Sequence, residues 1–103
     1  MMLTTTDHIT SKELEHLGLV QGNVVQTKSI GKDIMAIGKL VAGGEVQQYT
    51  ELLKDARTTA TERMIQEAKN IGADAIVAVR YATSNIMDTA SEVMVYGTAV
   101  KFI

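Results

Sequence analysis

The chain has 103 residues, 46% hydrophobic and 21% charged, with a net charge of −2. That length supports one modest core burying ~60–70% of the unfolded surface, and the composition is that of a soluble globular protein rather than a disordered or fibrous one. The absence of cysteine excludes disulfides, thiolate metal centres and cysteine nucleophiles, while ten Lys and Arg against twelve Asp and Glu, with no Trp and one Phe, offer little to a nucleic acid.

Met1 to Asp7 lacks the basic start and apolar run of a secretory signal. No stretch approaches the ~20 apolar residues of a membrane span. The expectation is one cytoplasmic domain over residues 1–103. Met1 to Thr6 reads as a short extended piece. Thr10, three residues before Glu13, fits a capping box and predicts a short helix ending at Gly18. Leu19 to Thr27 is rich in Val with alternating polar residues, a strand weakened by Gly22. Ile30, Ile34, Ile37 and Val41 form a helical stripe, so a second short helix is expected there, broken by Gly43-Gly44.

The strongest element follows. From Val46 to Ile71, Tyr49, Leu52, Leu53, Ala56, Ala60, Met64, Ala68 and Ile71 recur at three- and four-residue steps, predicting a helix of about seven turns that stops at Gly72. Asp74 to Thr83 and Glu92 to Phe102 read as strands, and the polar Ser84 to Ser91 as the loop of an antiparallel hairpin. The fold class is therefore α/β in two layers (α+β), an antiparallel sheet of about three main strands with one long helix across a face.

Few residues suggest chemistry. His8 and His16 stand eight apart, which is no zinc-ligand spacing. The Thr4-Thr5-Thr6 hydroxyls carry no nucleophile motif, and Gly43-Gly44-Glu45 lacks the Lys and Ser/Thr of a phosphate loop. No catalytic residue, metal ligand or cofactor is assigned. The long helix presents an anomaly: Arg57, Arg63 and Glu67 fall inside its apolar arc, where charges need partners. Arg63 and Glu67, four apart, suit each other, whereas Arg57 has no such partner on its own helix and is expected to reach a carboxylate elsewhere, such as Glu92, Asp74 or one on another subunit. Ile65 projects outward among Lys54, Thr58 and Lys69. Either that is one exposed Ile, or the helix is touched on more than one side, as in an oligomer.

The Thr4-Thr5-Thr6 run, Gly43-Gly44 with Tyr49 following, Leu53, Ala56-Arg57, Ala60, Met64, Ala68, Gly72-Ala73-Asp74-Ala75-Ile76-Val77 and Gly97-Thr98-Ala99-Val100 together resemble the YbjQ-like family of small bacterial proteins. The resemblance spans essentially the whole chain. It implies a dodecin-like β-α-β-β unit, assembly as a homopentameric ring, and a heavy-metal-binding label with no Cys or His constellation here to support it.

These readings converge on a non-enzymatic homo-oligomer, its partner being itself and neither nucleic acid nor membrane. The alternative is a small-molecule or metal-ion binder with sites at subunit boundaries. Tyr49, Arg57, Arg63, Glu67 and Glu92 are the candidate ligand or interface residues. An enzyme would need Arg57, Glu92 and a Tyr hydroxyl to converge in one pocket. Two features favour self-assembly: the closing strand Val93 to Phe102, read as an exposed edge with only Lys101 as deterrent, and Met2-Leu3-Thr4, free to add a strand to a neighbour.

Overall fold

The computed structural model describes residues 1–27, 47–87 and 90–103. Its elements are β1 (Met2–Leu3), β2 (Leu14–Thr27), α1 (Gln47–Asn70), β3 (Ala75–Met87) and β4 (Ala90–Phe102). They form an α+β fold with one mixed sheet in the order β1-β3-β4-β2. The three long strands run antiparallel, β4 pairing with β2 on one side and β3 on the other; the two-residue β1 lies parallel to β3, Met2 opposite Ala75 and Leu3 opposite Ile76. The stripe from Ile30 to Val41 and the Gly43-Gly44-Glu45 turn lie outside the described residues.

Among the described residues, one helix covers one face of the sheet. Ala56, Ala60, Met64 and Ala68, four apart, are all buried, and the helix lies over β2 and β4, scarcely over β3. Small side chains on this line bring the helix backbone close to the sheet. Gly22 completes the approach, because a Cβ there would fall on the Ala60 carbonyl oxygen and 2.6 Å from the Met64 nitrogen; a glycine inside a strand commonly marks such a crossing. Val20, Ala60, Met64, Ala68, Ile76, Val79, Val95 and Ala99 form the core between helix and sheet. A smaller core on the reverse face joins Ala75, Val77 and Val100 to Ile9, Leu14 and Phe102. The helix ends as its sequence predicts: Gly72 takes φ 81, its N–H donates to the Lys69 carbonyl at 3.1 Å, and the Ala73 N–H donates to the Ala68 carbonyl at 3.0 Å, the paired bonds of a Schellman cap.

Four expectations are corrected. No helix forms over 10–18. Ser11 adopts φ 66, the Lys12 N–H closes a turn on the Ile9 carbonyl, and β2 begins at Leu14. A helix of two turns has little intrinsic stability, whereas the strand gains a ladder along β4. Leu14 and Leu17, three apart as on a helix face, serve opposite faces of the sheet instead, with a bulge between His16 and Gly18. Ser84 to Met87 and Ala90 to Ser91 are not loop but strand, with Ser84 opposite Glu92 and Asn85 opposite Ser91. They read as polar because residues 81–86 of the hairpin are exposed, not because the chain turns there. β4 is not an edge but a central strand, and the margins of the sheet fall to β2 on one side and, on the other, to β1 and the part of β3 beyond it. Finally, Met2-Leu3-Thr4 is engaged within its own chain.

That engagement involves strain. β3 bulges between Val77 and Arg80, where Ala78 adopts φ 54, a left-handed conformation unfavourable to an L-residue with a Cβ. The turned-out N–H groups of Ala78 and Val79 donate to the Thr6 and Thr4 carbonyls at 2.8 and 3.0 Å, and Arg80 Nη1 donates to the Thr5 carbonyl at 2.9 Å. Thr6 Oγ1 donates to the His8 carbonyl at 2.7 Å, so the proton shared with Thr4 Oγ1 at 2.8 Å comes from Thr4. The threonine run is thus a clasp over the bulge.

Candidate functional site

The alternation of each strand divides its residues between two faces. In β2, Val20, Gly22 and Val24 face the helix, and Gln26 follows them, its Nε2 donating to the Leu52 carbonyl at 3.3 Å. Leu19, Gln21, Asn23 and Val25 therefore face away, and their partners Thr98, Tyr96, Met94 and Glu92 on β4 share that reverse face. The reverse face continues onto β3 through Arg80, Ala82 and Ser84.

Among the described residues the structure links two of the five candidates, and through an intermediary that sequence reasoning missed. Arg63 Nη1 reaches from the helix to donate to the Asn23 backbone carbonyl at 2.7 Å, and Asn23 Nδ2 donates to Glu92 Oε2 at 3.1 Å. A lone Asn in a Val-rich strand was the available signal. Arg63 is spent on that edge carbonyl, and among the described residues it forms no ion pair with Glu67, which is exposed.

Arg57 is also exposed, correcting the expectation of a buried guanidinium; no charged or polar residue is buried among those described. The buried line is narrower than the apolar arc, because alanines hold the helix close to the sheet and leave its flanks to water. Ile65 is the converse correction: it packs, half-buried, against the main core. Beside Arg57 lies a second feature missed in the sequence. Thr61 Oγ1 donates back to the Arg57 carbonyl at 2.7 Å and sits 3.0 Å from the Tyr81 hydroxyl. Tyr49 belongs to the first turn of α1, and its side chain lies outside the described residues. Within one chain Arg57 on the helix and Glu92 on the reverse face of the sheet do not converge, so the trio an enzyme would need is not assembled.

The histidines, eight apart in sequence, both act on Asp7. His8 Nδ1 lies 3.1 Å from Asp7 Oδ1. That hydrogen bond first, then the Asp7 backbone N–H and the charges of His8 and His16, hold the carboxyl below its ordinary range. Among the described residues, no group of three or more His, Cys, Asp or Glu side chains is placed to hold a metal ion.

The whole chain, residues 1–103, matches a family model described as "Putative heavy-metal-binding". Similar proteins include a UPF0145 protein of Alkaliphilus metalliredigens, 50% identical over 103 residues and all of both chains, and one of Thermosipho africanus, 54% identical over 102 residues, 98% of this chain and 94% of that one. A solved structure of a protein with unknown function from Pediococcus pentosaceus, of the DUF74 family, superposes with a TM-score of 0.74 at 15% identity, covering 100% of this chain and 98% of the other, which shows the fold alone. The heavy-metal description does not fit the described residues: thiolates are absent from the sequence, and no imidazole and carboxylate donors gather.

Proposed function

The chain belongs to the YbjQ-like family of UPF0145 proteins, and from that premise we propose that it works as a self-assembling, non-enzymatic ring module of the cytoplasm, a dodecin-like homopentamer. One observation carries the assembly: long stretches of both marginal strands carry no charge. Edge strands ordinarily carry Lys, Glu or Pro against unwanted pairing, yet β2 from Leu17 to Thr27 and β3 from Tyr81 to Met87 contain no charged residue and no proline, while the central β4 holds Glu92 and Lys101. Uncharged, proline-free strand segments at both margins of a sheet suit partnered rather than solvated edges. Contacts of this head-to-tail kind are heterologous and close into rings; the number five rests on the family resemblance. Light scattering at micromolar concentration tests the reading. A single pentameric species is the expected result, and a monomer overturns it.

A second reading, a small-molecule or metal-ion binder with its site at subunit boundaries, draws support from Arg57, an exposed guanidinium beside the Thr61–Tyr81 hydroxyl pair on the flank of the helix. A thermal-shift screen checks it: a true ligand at 100 times its Kd stabilises by ~2.7 kcal/mol. No shift from any compound or metal salt removes this reading.

A further inference from the structure

We propose that the ring is joined by one specific contact, the outer edge of β3 over Arg80–Met87 pairing in parallel with the outer edge of β2 over Gln21–Thr27 of a second copy. This rests on the assembly reading and specifies its joint.

The two open stretches match in height. Tyr96 pairs with both Arg80 and Gln21, and Ala90 with both Met87 and Thr27, so Arg80–Met87 and Gln21–Thr27 flank the same stretch of β4. Lower on the sheet, β3 already has a neighbour, for β1 and the Thr4 and Thr6 carbonyls occupy its edge from Ala75 to Val79. The acidic residues of β2 and its approach lie below both stretches: Ala75 stands level with His16 through Val100, Glu15 pairs with Lys101 beyond that level, and the run of β2 from Leu17 to Thr27, level with the rest of β3, is uncharged. Among the described residues no other strand pairs with either open stretch, and the side chain that meets the β2 edge there, Arg63, takes one lone pair of the Asn23 carbonyl, an oxygen with a second to offer.

Direction follows from topology. β2 and β3 are both antiparallel to β4 and hence parallel to each other. Rotation about an axis running along the strands preserves strand direction, so β2 of one copy meets β3 of the next in parallel, and each copy presents one edge of each kind. Only a second copy of this chain satisfies both edges at once. The exposed Val25 of one copy and the exposed Ala82 and Ser84 of the other then lie on one continuous reverse face.

The absence of cysteine permits a direct test. Gln21→Cys or Val25→Cys is combined with Ala82→Cys or Ser84→Cys, four double variants on the reverse face. Within one chain these positions are separated by β4, ~9.5 Å or more at two strand spacings, beyond the ~7 Å Cα limit for a disulfide. A bond can therefore form only between copies. The expected result is a ladder of covalent multimers on oxidation of at least one double variant, with single-cysteine parents and a Gln66→Cys/Ser84→Cys control remaining monomeric on denaturing gels. Covalent dimers from single variants would mean β2–β2 or β3–β3 pairing and overturn the joint. If no double variant gives a ladder while light scattering still reports the ring, the joint is wrong and the assembly reading stands. If the wild-type chain is monomeric, both fail.

Discussion

Arg57 and Arg63 share a helix and an exposed setting, yet only Arg63 makes a side-chain hydrogen bond to the sheet among the described residues. Arg63→Ala should lower stability by ~1 kcal/mol for the lost hydrogen bond. Arg57→Ala should stay within ~0.5 kcal/mol, as exposed substitutions usually do. Chemical denaturation of the two variants side by side is the check. The Asp7–His8 pair predicts a small pH effect. Its sign follows from the lowered pKa of the folded carboxyl: the pair favours folding above the ordinary Asp range, and that contribution is lost as pH falls through the folded value. Because both groups are exposed, the effect on stability is slight. Carbon-detected NMR should find the Asp7 carboxyl titrating below an ordinary Asp, and His8→Gln should move it upward.

At the scale of elements, the crossing of α1 over β2 is the contact on which the fold depends. Gly22→Ala places a methyl group in the helix backbone, and overpacking of that kind costs ~1–3 kcal/mol or more. Met64→Ala removes the largest side chain of the fully buried set and should cost ~2–5 kcal/mol. Thermal unfolding of both variants should show cooperative transitions at lower Tm; an unchanged Tm for Gly22→Ala would contradict the close approach. Gly22 also shows how one residue can be read two ways. In the sequence it weakens a strand, whereas in the fold it admits a helix.

At the scale of the whole molecule, the chain is longer and thinner than its size requires. Its Cα radius of gyration is 16.9 Å, against ~13 Å for a compact chain of this length. Its extents are 55 × 24 × 16 Å, and strands of 13 and 14 residues run for ~45 Å at the rise of an extended chain. Such blades bury little by themselves, which accords with a subunit completed by its neighbours. Metal removal belongs to this scale as well. With no donor set among the described residues, EDTA should leave Tm and assembly unchanged, and a stoichiometric metal surviving dialysis would contradict that.

The long helix and its stop at Gly72, the strands around Val20, Val77 and Val95, and the hairpin direction were all legible in the sequence, because period and cap chemistry are local and need no partner to be read. Four things were decided only by tertiary structure. The segment over 10–18 is strand rather than helix because β4 offers a ladder that outweighs a weak local cap. The polar Ser84 to Ser91 stretch, apart from the two undescribed residues, is strand because exposed hairpin strands need no apolar alternation. Arg57 is exposed and Ile65 packed because the helix rolls onto its alanine line, a rotation set by Gly22 across the interface. The order of strands, which makes β4 central and leaves the uncharged segments of β2 and β3 at the margins, arises from long-range pairing. A sequence states which residues can pair, but not which strand will stand between which others.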